Sequence, residues 1–253
     1  MSEPFRKYAP ITVTGLCLAA LSYACWKATP SARSIDPQAN YYSVLERKEA
    51  QLTRELAGAN AGDDKIRREL AVTLWQNKKF AKASELFDTV ISHDNPRTDG
   101  PYDAAYVSDA LNLAGVCLDG CNLKKAVAVY ERILKYDQAH LPASDPRIGR
   151  DQNNIGLAYF TFGNAQAEEK TRREFLAYSL SCYQAAEDIF RASAKTRPQL
   201  ICSMQNEALA YSELGDSKTA IRIESDLDKN VEYSHFSHDI FRMLSQISDG
   251  QTQ

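Results

Sequence analysis

Four stretches of the chain repeat one spacing of small and bulky residues, and that spacing leaves few folds open. The first is LAVTLWQNKKFAKASELF from Leu70, and the second is LAGVCLDGCNLKKAVAVY from Leu113. The third is IGLAYFTFG from Ile155, resuming with FLAYSLSCY at Phe175, and the fourth is EALAYSELGDSKTAIRIE from Glu207. Each carries an early small residue (Ala71, Ala114, Gly156, Ala208), with Leu74, Cys117, Tyr159 or Tyr211 three positions later. A second small residue follows at Ala83, Ala126, Ser179 and Ala220. Four positions on stands an aromatic in three cases, Phe87, Tyr130 and Tyr183, with Glu224 in the fourth. Two antiparallel helices approach closely only where side chains are small. The later aromatic then fills the gap between neighbouring helix pairs. No pair buries its apolar faces alone, so the pairs must stack.

This pattern resembles the tetratricopeptide repeat (TPR), with a small residue and then an aromatic in its first helix and Ala-x-x-x-Phe in its second. The interval from Ala71 to Ala114 is 43 residues and from Ala114 to Gly156 is 42. With DPRIGRDQNNIGLAYFTFGN at 145–164, this long period is similar to the repeat type of kinesin light chain. The resemblance implies an all-α, right-handed solenoid of about four helix-turn-helix repeats that binds peptides. It does not imply a motor subunit. Kinesin light chain also lacks an apolar N-terminal segment such as the one found here. The third repeat has 23 residues between its small positions, where the others have 12. The excess, near NAQAEEKTRRE, is charged and maps to the turn between its helices, as a loop or a solvated helix extension. Tyr41, Leu45, Leu52 and Leu56 make one stripe over 41–57 and suit an N-terminal cap. Phe236, Ile240, Leu244 and Ile247 make another over 236–247 at the C-terminal end.

In such a solenoid the first helices line the concave face. Two positions before the early small residue stand Glu69, Asn112, Asn154 and Asn206. Asparagine is a poor residue for a helix interior, because its amide competes for backbone hydrogen bonds. Its recurrence therefore asks for a reason. One amide offers a donor and an acceptor and so matches a peptide unit. The resemblance implies that role, since similar asparagine ladders in this family grip extended peptides. The other reading is that the amides bond neighbouring helices and set their spacing. By helical spacing, Lys65, Arg68, Arg150, Asn153 and Gln205 share the groove face, with Trp75 and Phe160 further along it. Basic and aromatic elements of this kind favour acidic or apolar peptide segments.

Residues 11–26, ITVTGLCLAALSYACW, carry no charge. They follow Arg6 and Lys7 and precede Lys27, with Tyr8 and Trp26 placed for the two interfaces. Residues 1–27 are expected to be a single-pass membrane anchor. A signal peptide cleaved after Ser22-Tyr23-Ala24 is the alternative, leaving a secreted or periplasmic protein. Residues 28–40 read as a linker and 41–250 as the solenoid. With the N-terminus inside, the solenoid lies on the non-cytoplasmic side. The absence of any Asn-x-Ser/Thr sequon favours a bacterial envelope or an organelle over a glycosylated ectodomain.

A net charge of −3 argues against a nucleic-acid partner. Cys117, Cys121, Cys182 and Cys202 read as small buried residues, with Cys117 and Cys121 on one helix face. His235 and His238 lack a third ligand, and no metal or cofactor is expected. No phosphate-binding loop, zinc-protease motif or nucleophile elbow occurs, so no catalytic residue is assigned and the chain is expected not to be an enzyme. The expected function is a membrane-anchored scaffold binding a protein or peptide partner in its groove. The alternatives are an assembly or quality-control factor for membrane complexes, and a regulatory or catalytic protein whose repeats serve only to dimerise it. The oligomeric state is left open.

Overall fold

The computed structural model describes residues 37–58, 63–94, 100–192 and 194–230. The apolar stretch 11–26, the C-terminal stripe 236–247, His235 and His238 lie outside them. Residues Asp36–Glu224 form one compact unit. No helix among the described residues is long and apolar enough to cross a membrane.

The described residues are all-helical. Helix α1 spans Pro37–Gly58. Four hairpins follow: α2 (Asp64–Gln76) with α3 (Phe80–Asp94), α4 (Ala104–Asp119) with α5 (Leu123–His140), α6 (Pro146–Asn164) with α7 (Glu169–Arg191), and α8 (Arg197–Glu213) with α9 (Ser217–Asn230). From α1 to α8, each helix packs against the next in chain order. Helix α1 starts at Pro37, so 37–40 continue the helix where the sequence suggested linker. Leu45 and Leu52 of its stripe are buried and Leu56 packs on the core, whereas Tyr41 faces solvent.

Aspartates open three of the four first helices. Asp63 accepts from the amide of Ile66, Asp103 from those of Ala105 and Tyr106, and Asp145 from that of Arg147. Each satisfies orphan amide donors and sets negative charge at the positive end of the helix dipole. Three hairpin turns share one geometry. Lys78, Cys121 and Gly215 have φ of 59, 58 and 86°, each five residues before the small residue of the second helix. The next amide in each case, of Lys79, Asn122 or Asp216, reaches back to the carbonyl of Leu74, Cys117 or Tyr211 at 2.8, 2.8 and 2.9 Å. This is the left-handed closure that terminates helices and favours glycine. It carries Cys121 off the helix, so Cys121 is exposed while Cys117 is buried, and the two do not share a face. Cys202 is exposed as well, and only Cys182 joins Cys117 inside.

The small positions do what close packing requires. Ala71, Ala83, Ala114, Ala126, Ser179, Ala208 and Ala220 are all buried, as are Phe87, Tyr130 and Tyr183. At Gly156 the approach is closest, because a Cβ there would stand 2.6 Å from Cε1 of Tyr183. The excess of the third hairpin is mostly helix. Against its equivalents, α6 runs three residues further past its small position, α7 starts seven residues earlier, and the turn gains one. Phe162 and Phe175 meet edge to face at 4.6 Å in this extension, and Tyr159 packs on Phe175 and Tyr178. Arg172 pairs with Glu213 and so ties the extension to the end of α8.

Candidate functional site

Polar ties hold the first helices side by side. Arg68 Nε donates to Asp109 Oδ2 at 2.7 Å and Trp75 Nε1 to Asp119 Oδ2 at 2.7 Å, both joining α2 to α4. Asn206 Nδ2 donates to Asn153 Oδ1 at 3.1 Å and joins α8 to α6. The candidate groove residues therefore fall into three groups.

Asn112 and Asn154 are half-buried, 42 residues apart at equivalent positions, and their amides make no hydrogen bond within the described residues. Gln205, half-buried on α8, is likewise without one, and Lys65 is exposed at the start of α2. These keep their polar groups available. The second group is half committed. Asn206 and Asn153 use one donor and one acceptor on each other, which leaves Asn206 Oδ1 and Asn153 Nδ2 to act outward. For this rung, helix spacing and peptide contact are compatible.

The third group braces the fold. Arg68 serves the buried carboxylate of Asp109. Arg150 Nη2 donates to Asp137 Oδ2 at 3.1 Å and to Asp151 Oδ1 at 2.7 Å, and its Nε donates to Asp151 Oδ1 at 2.9 Å. Both guanidinium charges are thus matched internally. The indole of Trp75 lies on Gly115, where a Cβ would come within 2.8 Å of Cη2. Phe160 packs against Leu180, Tyr183 and Ala210 with Tyr211 and Leu214. Their ring faces are used for packing between helices. What remains along α4, α6 and α8 is a strip of uncharged amides.

Buried acids are the feature that sequence reading passed over. Asp109, Asp137, Asp151, Glu187 and Glu207 are all buried. Burial pushes Asp151 up to about 8; Arg150 opposes the rise and Asp137 adds to it. Burial likewise pushes Glu187 up to about 7, opposed by the hydrogen bond from Arg191 and reinforced by Glu207. One signal was available, since Asp109 and Asp151 both stand five residues before a small position. No group of three or more His, Cys, Asp or Glu side chains that could hold a metal occurs among the described residues.

Solved structures share this fold. A putative kinesin light chain from Podospora anserina with nearly identical TPR-like repeats is 17% identical, at a TM-score of 0.56, over 76% of this chain and 85% of its own. MamA, residues 41 to the end, from Desulfovibrio magneticus RS-1 is 17% identical at a TM-score of 0.54, over 90% of this chain and 99% of its own. A Rap protein in complex with Competence and Sporulation Factor is 13% identical at 0.53, over 76% of this chain and 49% of its own. No family model and no curated protein matches the sequence. The fold is therefore the TPR-like helical repeat fold.

Proposed function

We propose that this protein is an interaction scaffold that holds an extended segment of a partner protein along its first helices. The observation that carries the reading is the pair Asn112 and Asn154. They stand one repeat apart, half-buried, with amides that no hydrogen bond within the described residues occupies. Such amides can take up the donor and acceptor of successive peptide units with little regard to sequence. The Rap protein, of like fold, was solved with Competence and Sporulation Factor bound, which supports a peptide or protein ligand here. Because Arg68 and Arg150 are neutralised by buried acids, the reading moves from acidic segments to neutral ones.

The uncharged run 11–26 supports a further part of the proposal: a membrane anchor that leaves the scaffold on the non-cytoplasmic side, favouring a bacterial envelope. There the groove would serve assembly or quality control of membrane complexes. Detergent-extracted full-length protein, panned against a displayed random-peptide library, should capture peptides. The Asn112→Ala, Asn154→Ala, Asn206→Ala variant should lose them while staying folded, with its unfolding midpoint lowered only by the lost Asn206–Asn153 bond. Capture of the same peptides by the folded variant refutes the groove. Recovery of native protein in the soluble fraction, lacking residues 1–24, refutes the anchor.

A further inference from the structure

Between the second and third hairpins, two acids meet one cation in a closed junction. Asp137 on α5 and Asp151 on α6 are both 0% exposed, and Arg150 bonds both. Their remaining oxygens, Asp137 Oδ1 and Asp151 Oδ2, are buried without a hydrogen-bond partner. A buried polar atom of this kind needs an explanation, and two such atoms on facing acids share one. Two full carboxylates against one guanidinium leave an uncompensated charge out of water. A proton on either acid removes that charge and turns one orphan acceptor into a donor.

The surroundings supply no other remedy. Arg147, the nearby guanidinium on α6, is bonded to Asp145 at 2.9 and 2.8 Å and lies over the Tyr102 ring at 4.7 Å. Burial pushes the hydroxyls of Tyr102, ahead of α4, and Tyr130, on α5, upward, with Asp137 adding to the first and Asp119, Cys117 and Asp151 to the second, so neither supplies a charge to the junction. Helix α7 meets this part of α6 with the ring of Phe190, against Gly149. At the next junction, α7 to α8, the arrangement recurs in a less closed form. Arg191 bonds Glu187 at 2.6 Å, Gln184 donates to Glu207 at 2.9 Å, and Glu187 Oε1 has no partner.

We propose that Asp151 keeps a proton at its junction with Asp137 and Arg150, and that its release as the pH rises loosens the seat of the third hairpin on the second. The strength of the acid agrees, with burial pushing Asp151 up to about 8. In the unfolded chain the same group ionises near pH ~4. Above that pH the native state binds a proton that the unfolded state has lost. Stability therefore falls as the pH rises from ~4 towards about 8, and then levels. This proton sits in the scaffold, so its behaviour does not depend on what the groove binds.

The test uses the full chain in detergent micelles, unfolded in urea between about pH 5 and about pH 8.5. The wild-type midpoint should fall across this range, and Asp109→Asn, which leaves the Asp137–Asp151 junction intact, should keep the same slope as an unrelated buried-acid control. Asp151→Asn, neutral at every pH and able to donate, should flatten the profile. Wild-type protein near pH ~6 should show the infrared carbonyl band of a protonated carboxyl, weakened in Asp151→Asn. Should Asp151→Asn fail to fold, Asp137→Asn decides, by a flattened pH profile and a weakened band relative to wild type. An unchanged pH profile in the folded variant, or no protonated carboxyl in wild type, overturns the proposal.

Discussion

The contact between Gly156 and Tyr183 gives the sharpest test of how the hairpins are built. A Cβ added at Gly156 would lie 2.6 and 2.8 Å from Cε1 and Cδ1 of Tyr183, and 3.2 Å from the carbonyl oxygen of Ser179. Comfortable carbon contacts begin near ~3.5 Å, so the ring would have to retreat by roughly 0.8 Å. It has little room, because Tyr183 is 1% exposed and packs with Leu180 and Ala210. Overpacking of this kind costs about 1–3 kcal/mol, whereas replacing a helical glycine by alanine returns up to about 1 kcal/mol. Gly156→Ala should therefore lose roughly 1–2 kcal/mol, measured as the shift in urea midpoint followed by circular dichroism. Gly58→Ala is the control, since nothing stands within 4 Å of its added Cβ. In a Tyr183→Leu background the penalty of Gly156→Ala should shrink towards zero, because the smaller side chain vacates the clash. A Gly156→Ala protein as stable as wild type, or an equal penalty in both backgrounds, would refute the reasoning.

The left-handed turn positions predict opposite signs for glycine. Cys121→Gly should raise stability by about 1 kcal/mol and Gly215→Ala should lower it by a similar amount, read from the same unfolding curves; equal signs would contradict the shared turn geometry. Arg68→Ala strips a partner from the buried Asp109 and should cost about 3 kcal/mol, whereas Lys65→Ala, at an exposed position, should cost under about 0.5 kcal/mol. Among the described cysteines, Cys121 and, more slowly because burial pushes its thiol up, Cys202 should react with a thiol reagent in native protein, and Cys117 and Cys182 only after unfolding. Burial also pushes the Cys182 thiol up to about 11, so rapid native labelling of Cys182 at neutral pH would count against the packing.

Sequence alone determined the repeat. Small residues at Ala71, Ala114, Gly156 and Ala208, with aromatics at Phe87, Tyr130 and Tyr183, leave helix pairs that can be buried only by stacking. Those positions are local and periodic, so their spacing is visible without coordinates. The recurrence of asparagine at Asn112, Asn154 and Asn206 is visible for the same reason. What individual side chains do with their polar groups was not. Arg68 and Arg150 read as groove cations, yet their partners Asp109 and Asp137 lie 41 and 13 residues away on other helices. Asn206 looked equivalent to Asn154 but bonds Asn153 across 53 residues, while Asn154 bonds nothing within the described residues. Charge pairing and burial depend on which helices become neighbours and how deeply each turn is covered. The periodicity of a single helix carries no record of that, so the pairing of Arg68 and Arg150 with buried acids was decided only when the hairpins packed.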